Sequence, residues 1–422
     1  MSSVIRSTSC CDDVPEPSTL TVDDARQQIL ADIESITASE KLTLRSALDR
    51  VLAEDIISPM SVPGHTNSAM DGYALGGSDL PLDSDRVYPV IGTSFAGAPF
   101  NGSCKAGQCI RIMTGAVMPT GTDTVVMQEH VEAVETDSVA IGEGHRPGQN
   151  VRQAGEDITA GDAVLQASRT LTPADLGILS SLGIGEVRVR RRPRVAFFST
   201  GDELRSIGET LAEGDVYDSN RYSLYGMLKR LDIELLDMGV VGDNADDLRK
   251  ALTEAASMAD VVITSGGVSV GEADYIKPIL EEIGEINFWK IAMKPGRPLT
   301  YGKIGSSKFF GLPGNPVAVM VTFYQFVQPA LRYMASGRSS LPWTFMATCT
   351  ETIRKRSGRY EFQRGILEQD AVGRLTVRKT GQQGSGVLMS MSRANCFILL
   401  PEDCDGVAAG DDVRVQLFDT FV

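Results

Sequence analysis

Three stretches in the second half of the chain concentrate side chains able to handle a phosphorylated ligand. Residues 199–204 (STGDEL) follow an apolar run and set Asp202 and Glu203 behind a glycine. Such carboxylates hold a hard cation, but at a helix start they would merely complement the dipole, and this loop alone leaves both readings open. Residues 265–274 (SGGVSVGEAD) bring three glycines and two serines whose amide and hydroxyl donors form a nest for phosphate oxygens. The GK[ST] ending of a P-loop is missing, and Asp274 stands where Mg²⁺ would bridge those oxygens. Residues 289–298 (WKIAMKPGRP) place Lys290, Lys294 and Arg297 close together, stiffened by Pro295 and Pro298 around Gly296. A run of surface lysines serves solubility, yet prolines that remove flexibility argue for anion binding. Finally, Gly314, Asn315 and Pro316 open a helix, with Asn315 as N-cap and Pro316 at the first helical position. A helix start is structural in most proteins, although its N–H groups also suit an anion.

The combination suits a polyanionic ligand with Mg²⁺. Metal-assisted chemistry at phosphate ranks above attack by a side-chain nucleophile, because there is no Ser-His-Asp arrangement, no Cys–His pairing and no GxGxxG fingerprint. The seven cysteines form no CxxC pair and fit no closed disulfide framework. Three scattered histidines, His65, His130 and His145, argue against a His-rich zinc or iron site. With 40 basic and 55 acidic residues the net charge is −15, which disfavours non-specific nucleic-acid binding. No signal peptide is legible, and no stretch approaches the roughly 18 apolar residues of a membrane span. The expectation is a soluble cytoplasmic protein of about three domains.

These loops need elements to hold them. From residue 191 to 337 strands alternate with helices. Strands are expected at 195–199, 234–241, 261–264 and 308–312, and helices at 222–231, 248–256, 275–283 and 316–335. That alternation predicts a parallel, doubly wound α/β sheet with ligands at the carboxyl ends of its strands. Residues 59–152 carry short β-branched runs broken by Gly and Pro, a mainly-β module. It is expected to be inserted into a small helical domain made of residues 21–58 and 153–190. There a capped helix starts at Thr21, a second carries Leu44, Leu48, Val51 and Leu52, and a third spans 173–182. Residues 1–20 read as a loose tail, and 338–422 as a small β-barrel or sandwich.

Seven motifs in order, NSAMDGYA (67–74), RIMTGA (111–116), STGDEL (199–204), DSN (218–220), SGGVSVGEADY (265–275), KPGRP (294–298) and GLPGNP (311–316), resemble the molybdopterin molybdenumtransferase family. That family includes the E domain of gephyrin and of the plant molybdenum-insertion enzyme. The resemblance implies the last step of molybdenum cofactor assembly: molybdate and adenylylated molybdopterin give the cofactor and AMP, with Mg²⁺. It implies catalytic roles for Asp71, Thr114, Glu203, Asp274, Lys290 and Lys294. The metal set would be Glu203, Asp243 and Asp274. The phosphate loop supplies Ser265, Gly266, Gly267, Ser269 and Gly271, next to Asn315 and Pro316. The molybdate group joins Lys294, Arg297 and Pro298 to Arg364 (FQRG) and Ser390 (VLMSMS). Arg152 and Asp157 (VRQAGED) match a further motif on the substrate side. Position 297 is Arg where many relatives have Lys, which keeps the charge and alters the hydrogen-bond geometry.

The resemblance also implies an elongated homodimer whose β module completes the α/β site of the other subunit. A molybdopterin adenylyltransferase and apo-molybdoenzymes are its implied partners. Two other functions are compatible with parts of the chain. The adenylyltransferase of the preceding step shares the α/β domain, but its loop reads TGGTG where this one reads SGGVSVGEAD. A gephyrin-like scaffold would not need the catalytic carboxylates.

Overall fold

The computed structural model describes residues 19–135, 137–267, 275–339 and 341–418. They form two units: Lys41–Val189, and Arg190–Val422 together with the chain up to Glu40. Helix α1 (Val22–Asp32) starts where its sequence predicts, with Thr21 Oγ1 accepting from the Asp24 amide at 3.1 Å. Its buried Val22, Ala25 and Ile29 join the core of the larger unit, against the Phe323–Val327 and Gln328–Ser336 segments. Residues 21–40 therefore pack with the α/β unit and not with the small helical domain expected from sequence.

In the smaller unit six strands, β1 (Gly72–Leu75), β2 (Arg86–Ser94), β3 (Cys109–Ile112), β4 (Thr124–Met127), β5 (Val131–Glu135) and β6 (Ser138–Ile141), form one sheet in the order β4-β1-β3-β2-β6-β5. The second helix predicted from Leu44, Leu48, Val51 and Leu52 does not form. Leu44–Ala47 make a single 3₁₀ turn, and Asp49 then takes φ 63°, which breaks the helical path. The Asp49 and Leu52 amides bond instead to the carbonyls of Leu171 and Arg169, and Leu48 is exposed. The third helix is present as α2 (Pro173–Ser181), opened by a reciprocal capping box between Thr172 and Asp175.

The larger unit is built on β7 (Arg194–Thr200), β8 (Glu234–Val241), β9 (Val261–Ser265), β10 (Gly284–Lys290), β11 (Pro298–Ile304) and β12 (Ser307–Leu312), ordered β8-β7-β9-β12-β11-β10. Period-2 alternation sends Val195 and Phe197 to one core and Ala196 and Phe198 to the other. The first core is covered by α1, α3 (Ser219–Lys229), α6 (Pro316–Thr322) and α7 (Gln328–Ser336). The second is covered by α4 (Ala245–Met258) and α5 (Ile276–Ile283). β8, β7, β9 and β12 are parallel as predicted, but β11 and β10 add antiparallel, so the sheet is mixed. Only Gly305 and Ser306 separate β11 from β12, and a two-residue connection permits only antiparallel pairing.

Five strands of the C-terminal segment, β13 (Thr344–Cys349), β14 (Tyr360–Gln369), β15 (Leu375–Lys379), β16 (Cys396–Leu400) and β17 (Asp412–Leu417), close into a barrel through the β14–β16 pairing, with α8 (Leu388–Arg393) between β15 and β16. Met293–Lys294 pair in parallel with Tyr360–Glu361 of β14, which attaches the proline-stiffened segment to the barrel.

Candidate functional site

The carboxyl ends of β7, β8, β9 and β12 open into a cleft of 260 Å³. Thr200, Gly201 and Glu203 arrive from β7, Asp243 from β8, Ser265, Gly266 and Gly267 from β9, and Gly314 and Asn315 from β12. Gly266 and Gly267 have φ of 91° and 66°, and a Cβ on Gly266 would lie 2.4 Å from the Thr200 carbonyl oxygen. Only glycine lets the loop pass so close. The Gly266 amide is donated to Leu312 O, and the Ser265 hydroxyl pairs with Ser199 at 3.1 Å. The nest expected from sequence is therefore narrower among the described residues, because the Gly266 amide is spent on β12 and the Ser265 hydroxyl is paired with Ser199 of β7. Among the described residues the buried Thr200 hydroxyl has no hydrogen-bond partner. Ser269, Gly271 and Asp274 lie outside the described residues.

No helix follows STGDEL, so the reading of Asp202 and Glu203 as a dipole-complementing helix start is excluded. Leu204–Arg205 pair with Val216–Tyr217, and the helix begins only at Ser219, capped by Asp218. Asp202 accepts from the Asp243 amide at 3.0 Å. Burial, with Asp202 and Glu203 nearby, holds the Asp243 carboxyl above the usual carboxylate range. Among the described residues no three His, Cys, Asp or Glu side chains are grouped to hold a metal. Asn220, a residue of the DSN motif that sequence reasoning gave no role, lines the cleft and donates to Gly314 O at 2.7 Å. It thereby fixes the turn that carries Asn315. Asn315 occupies the N-cap position of α6 with no capping bond from its side chain, and Pro316 takes the first helical position.

A second cleft, of 1160 Å³, adjoins the first through Pro298, Pro313 and Asn315 and runs between the α/β loops and the barrel. Lys294, Arg297 and Arg364 line it. Lys294 pairs with Glu361 at 3.2 Å, the contact set by the Met293–Lys294 addition to β14. Arg364 is 1% exposed. Its guanidinium donates to Ser390 Oγ at 3.1 Å, Gly384 O at 3.2 Å and Phe362 O at 3.4 Å. Burial lowers its pKa to about 10, so it stays charged at neutral pH. The Ser390 hydroxyl is itself donated to Val387 O at 2.7 Å. Ser390 thus orients Arg364, where sequence had it as a donor to the ligand. Lys290 ends β10 and is not among the residues lining either cleft. Arg354, Lys355, Arg356, Arg359 and Lys379 extend the basic wall. The sequence signal of the first four was the run RKRSGR (354–359) in an acidic chain.

In the smaller unit the DGY and TGA motifs meet. Asp71 Oδ1 accepts from both the amide and the hydroxyl of Thr114, each at 2.7 Å, and these bonds hold the Asp71 carboxyl below the usual range. A Cβ on Gly72 would stand 2.0 Å from Val126 O, so glycine is required where β1 meets β4. Arg152 and Asp157 are exposed, Arg152 in a short strand paired with Asn67.

Comparison with known proteins matches three family models along the chain: "MoeA N-terminal region (domain I and II)" over residues 20–183, "Probable molybdopterin binding domain" over 196–333, and "MoeA C-terminal region (domain IV)" over 346–418. The chain is 45% identical over 400 residues to the molybdopterin molybdenumtransferase of Haemophilus influenzae, covering 94% of this chain and 98% of that protein. It is 32% identical to gephyrin of Dictyostelium discoideum, of whose length it covers 62%. Among solved structures, the molybdopterin biosynthesis moeA protein of Pyrococcus horikoshii OT3 superposes with a TM-score of 0.84 at 31% identity, over 95% of this chain and 100% of that one.

Proposed function

The chain belongs to the molybdopterin molybdenumtransferase family, and on that premise we propose how its two clefts divide the reaction. It is a transferase of molybdenum cofactor biosynthesis that inserts molybdate into adenylylated molybdopterin. The observation that carries the division is the adjacency of two chemically different clefts across Pro298, Pro313 and Asn315. The phosphoanhydride belongs in the first, over Ser265–Gly267, and molybdate in the second. There Arg364, Arg297 and Lys294 replace the hydration of a dianion with charge-assisted hydrogen bonds. Water adds at the anhydride and AMP leaves, while the two dithiolene sulfurs bond to molybdenum and the oxo groups they displace from molybdate leave as water, taking up the dithiol protons.

Glu203 and Asp243, oxygen donors that line the first cleft, would hold Mg²⁺, whose charge would relieve the crowding of carboxylates at Asp243; the resemblance adds Asp274, which lies outside the described residues. Bound there, Mg²⁺ would withdraw charge from the anhydride oxygens. Asp71 and Thr114 form the part of the site contributed by the smaller unit. In this reading the enzyme is a homodimer in which that pair completes the partner subunit's clefts. It receives substrate from a molybdopterin adenylyltransferase, delivers product to apo-molybdoenzymes and works in the cytoplasm. Among the described residues no helix is long and apolar enough to cross a membrane.

Purified protein given adenylylated molybdopterin, molybdate and Mg²⁺ should release AMP and reconstitute an apo-molybdoenzyme. AMP release that does not depend on molybdate or on Mg²⁺ would contradict this division of labour.

A further inference from the structure

A third cavity, of 610 Å³, opens beside the start of α3, and nothing above gives it a role. Its walls are mainly apolar: Ile207, Tyr217, Tyr222 and Leu388. The two tyrosines are about half exposed, 47% and 49%, and the Tyr217 ring is anchored by its hydroxyl, which donates to Glu209 O at 2.8 Å. Asp218 is the charged residue of the lining and is only 4% exposed. One carboxylate oxygen caps α3, accepting from the Arg221 amide at 3.0 Å. The other, Oδ2, is buried and has no hydrogen-bond partner among the described residues. An N-cap needs one acceptor, which Ser or Asn supplies equally well. The helix dipole favours the charge but provides no donor for the second oxygen, and a buried carboxylate oxygen without one is costly.

We propose that this cavity seats the pterin ring of the substrate, a reading that rests on the function proposed above, with Asp218 recognising its 2-amino-4-oxo edge. That edge presents two adjacent N–H donors, which a carboxylate accepts. The corresponding edge of adenine sets an acceptor beside its amino group and repels one. Aromatic side chains give a planar heterocycle a face to stack on. Position agrees with chemistry. Asn220, two residues after Asp218 and so within about 8 Å of chain, lines the phosphate cleft. Leu388 stands two residues before Ser390, which holds Arg364 at the oxyanion cleft. The cavity is thus two residues of chain from Asn220 of the first cleft and two from Ser390, the partner of Arg364 in the second, which suits a pterin that carries both the dithiolene and the arm leading to the phosphates. Adenine lies beyond the second phosphate.

The test is equilibrium binding of adenylylated molybdopterin and, separately, of AMP to the full-length wild type and to Asp218→Asn, which keeps the capping oxygen. Losing an acceptor for a charge-assisted hydrogen bond should weaken adenylylated molybdopterin about tenfold to a hundredfold and leave AMP binding unchanged. Tyr222→Ala should weaken it severalfold, and Tyr222→Phe should restore it. Equal weakening of AMP would place adenine in the cavity and overturn the proposal. So would wild-type affinity in Asp218→Asn, or a Tyr222→Ala protein that loses dimerisation while binding substrate normally. If the wild type neither binds nor turns over adenylylated molybdopterin, the proposed reaction fails. If the wild type turns over and Asp218→Asn binds as it does, only the pterin pocket fails.

Discussion

Glu203 and Asp243 show how a carboxylate's role follows from its surroundings. Neither packs a core: Glu203 is exposed and Asp243 lines an open cleft beside it. Glu203→Ala should therefore leave the melting temperature within a few degrees of wild type while abolishing Mg²⁺-dependent AMP release. Normal turnover at saturating Mg²⁺ would remove Glu203 from the mechanism. Ser390 makes the complementary point. Its oxygen accepts from Arg364 and its proton is committed to Val387, so in the proposed site it would act on molybdate through the guanidinium. Ser390→Ala should raise half-saturating molybdate severalfold without weakening AMP binding, read by titrating each ligand separately. An unchanged molybdate requirement would make Ser390 purely structural.

At the scale of elements, α2 carries a stability switch in its cap. Burial alone would raise the pKa of Asp175, but bonds from the Thr172 amide and hydroxyl and from Arg169 outweigh it and hold the pKa below the ordinary value. A depressed pKa contributes stability that is fully present above the ordinary carboxylate pKa of about 3.9 and is lost as pH falls through the folded value. Asp175→Ala should cost about 1–2 kcal/mol at pH 7 by denaturant titration, a gap that narrows below about pH 4. A gap constant down to pH 2 would contradict this account of the cap. The capped helices and the alternating strands were legible in sequence because capping residues and period-2 burial are local signals. Asp49 was not, since a left-handed residue inside an apolar 3–4 repeat leaves the repeat intact. β10 and β11 are not expected from sequence, where only their ends, Trp289–Lys290 and Pro298, carry a reading, as part of the anion-binding segment. The site was legible as loops after strands. The structural pairings of Ser265 and Gly266 are with Ser199 and Leu312, which lie 66 and 46 residues away and leave no local trace.

For the whole molecule, the proposed dimer places Asp71 and Thr114 of one subunit with the clefts of the other. Mixing inactive Asp71→Ala with inactive Asp274→Ala under subunit exchange should restore part of the activity, because each mixed dimer holds one wholly native site. Mixtures that exchange and stay inactive would exclude a shared site. The central claim, that molybdate and phosphoanhydride occupy different clefts, is tested most directly by Arg297→Ala, titrated with molybdate in the AMP-release assay and with AMP in a binding assay. Losing one charge-assisted hydrogen bond, worth roughly 1.5–3 kcal/mol, should raise half-saturating molybdate on the order of tenfold to a hundredfold. AMP affinity should not change. An unchanged molybdate requirement with weakened AMP binding would move Arg297 to the phosphate and contradict the account.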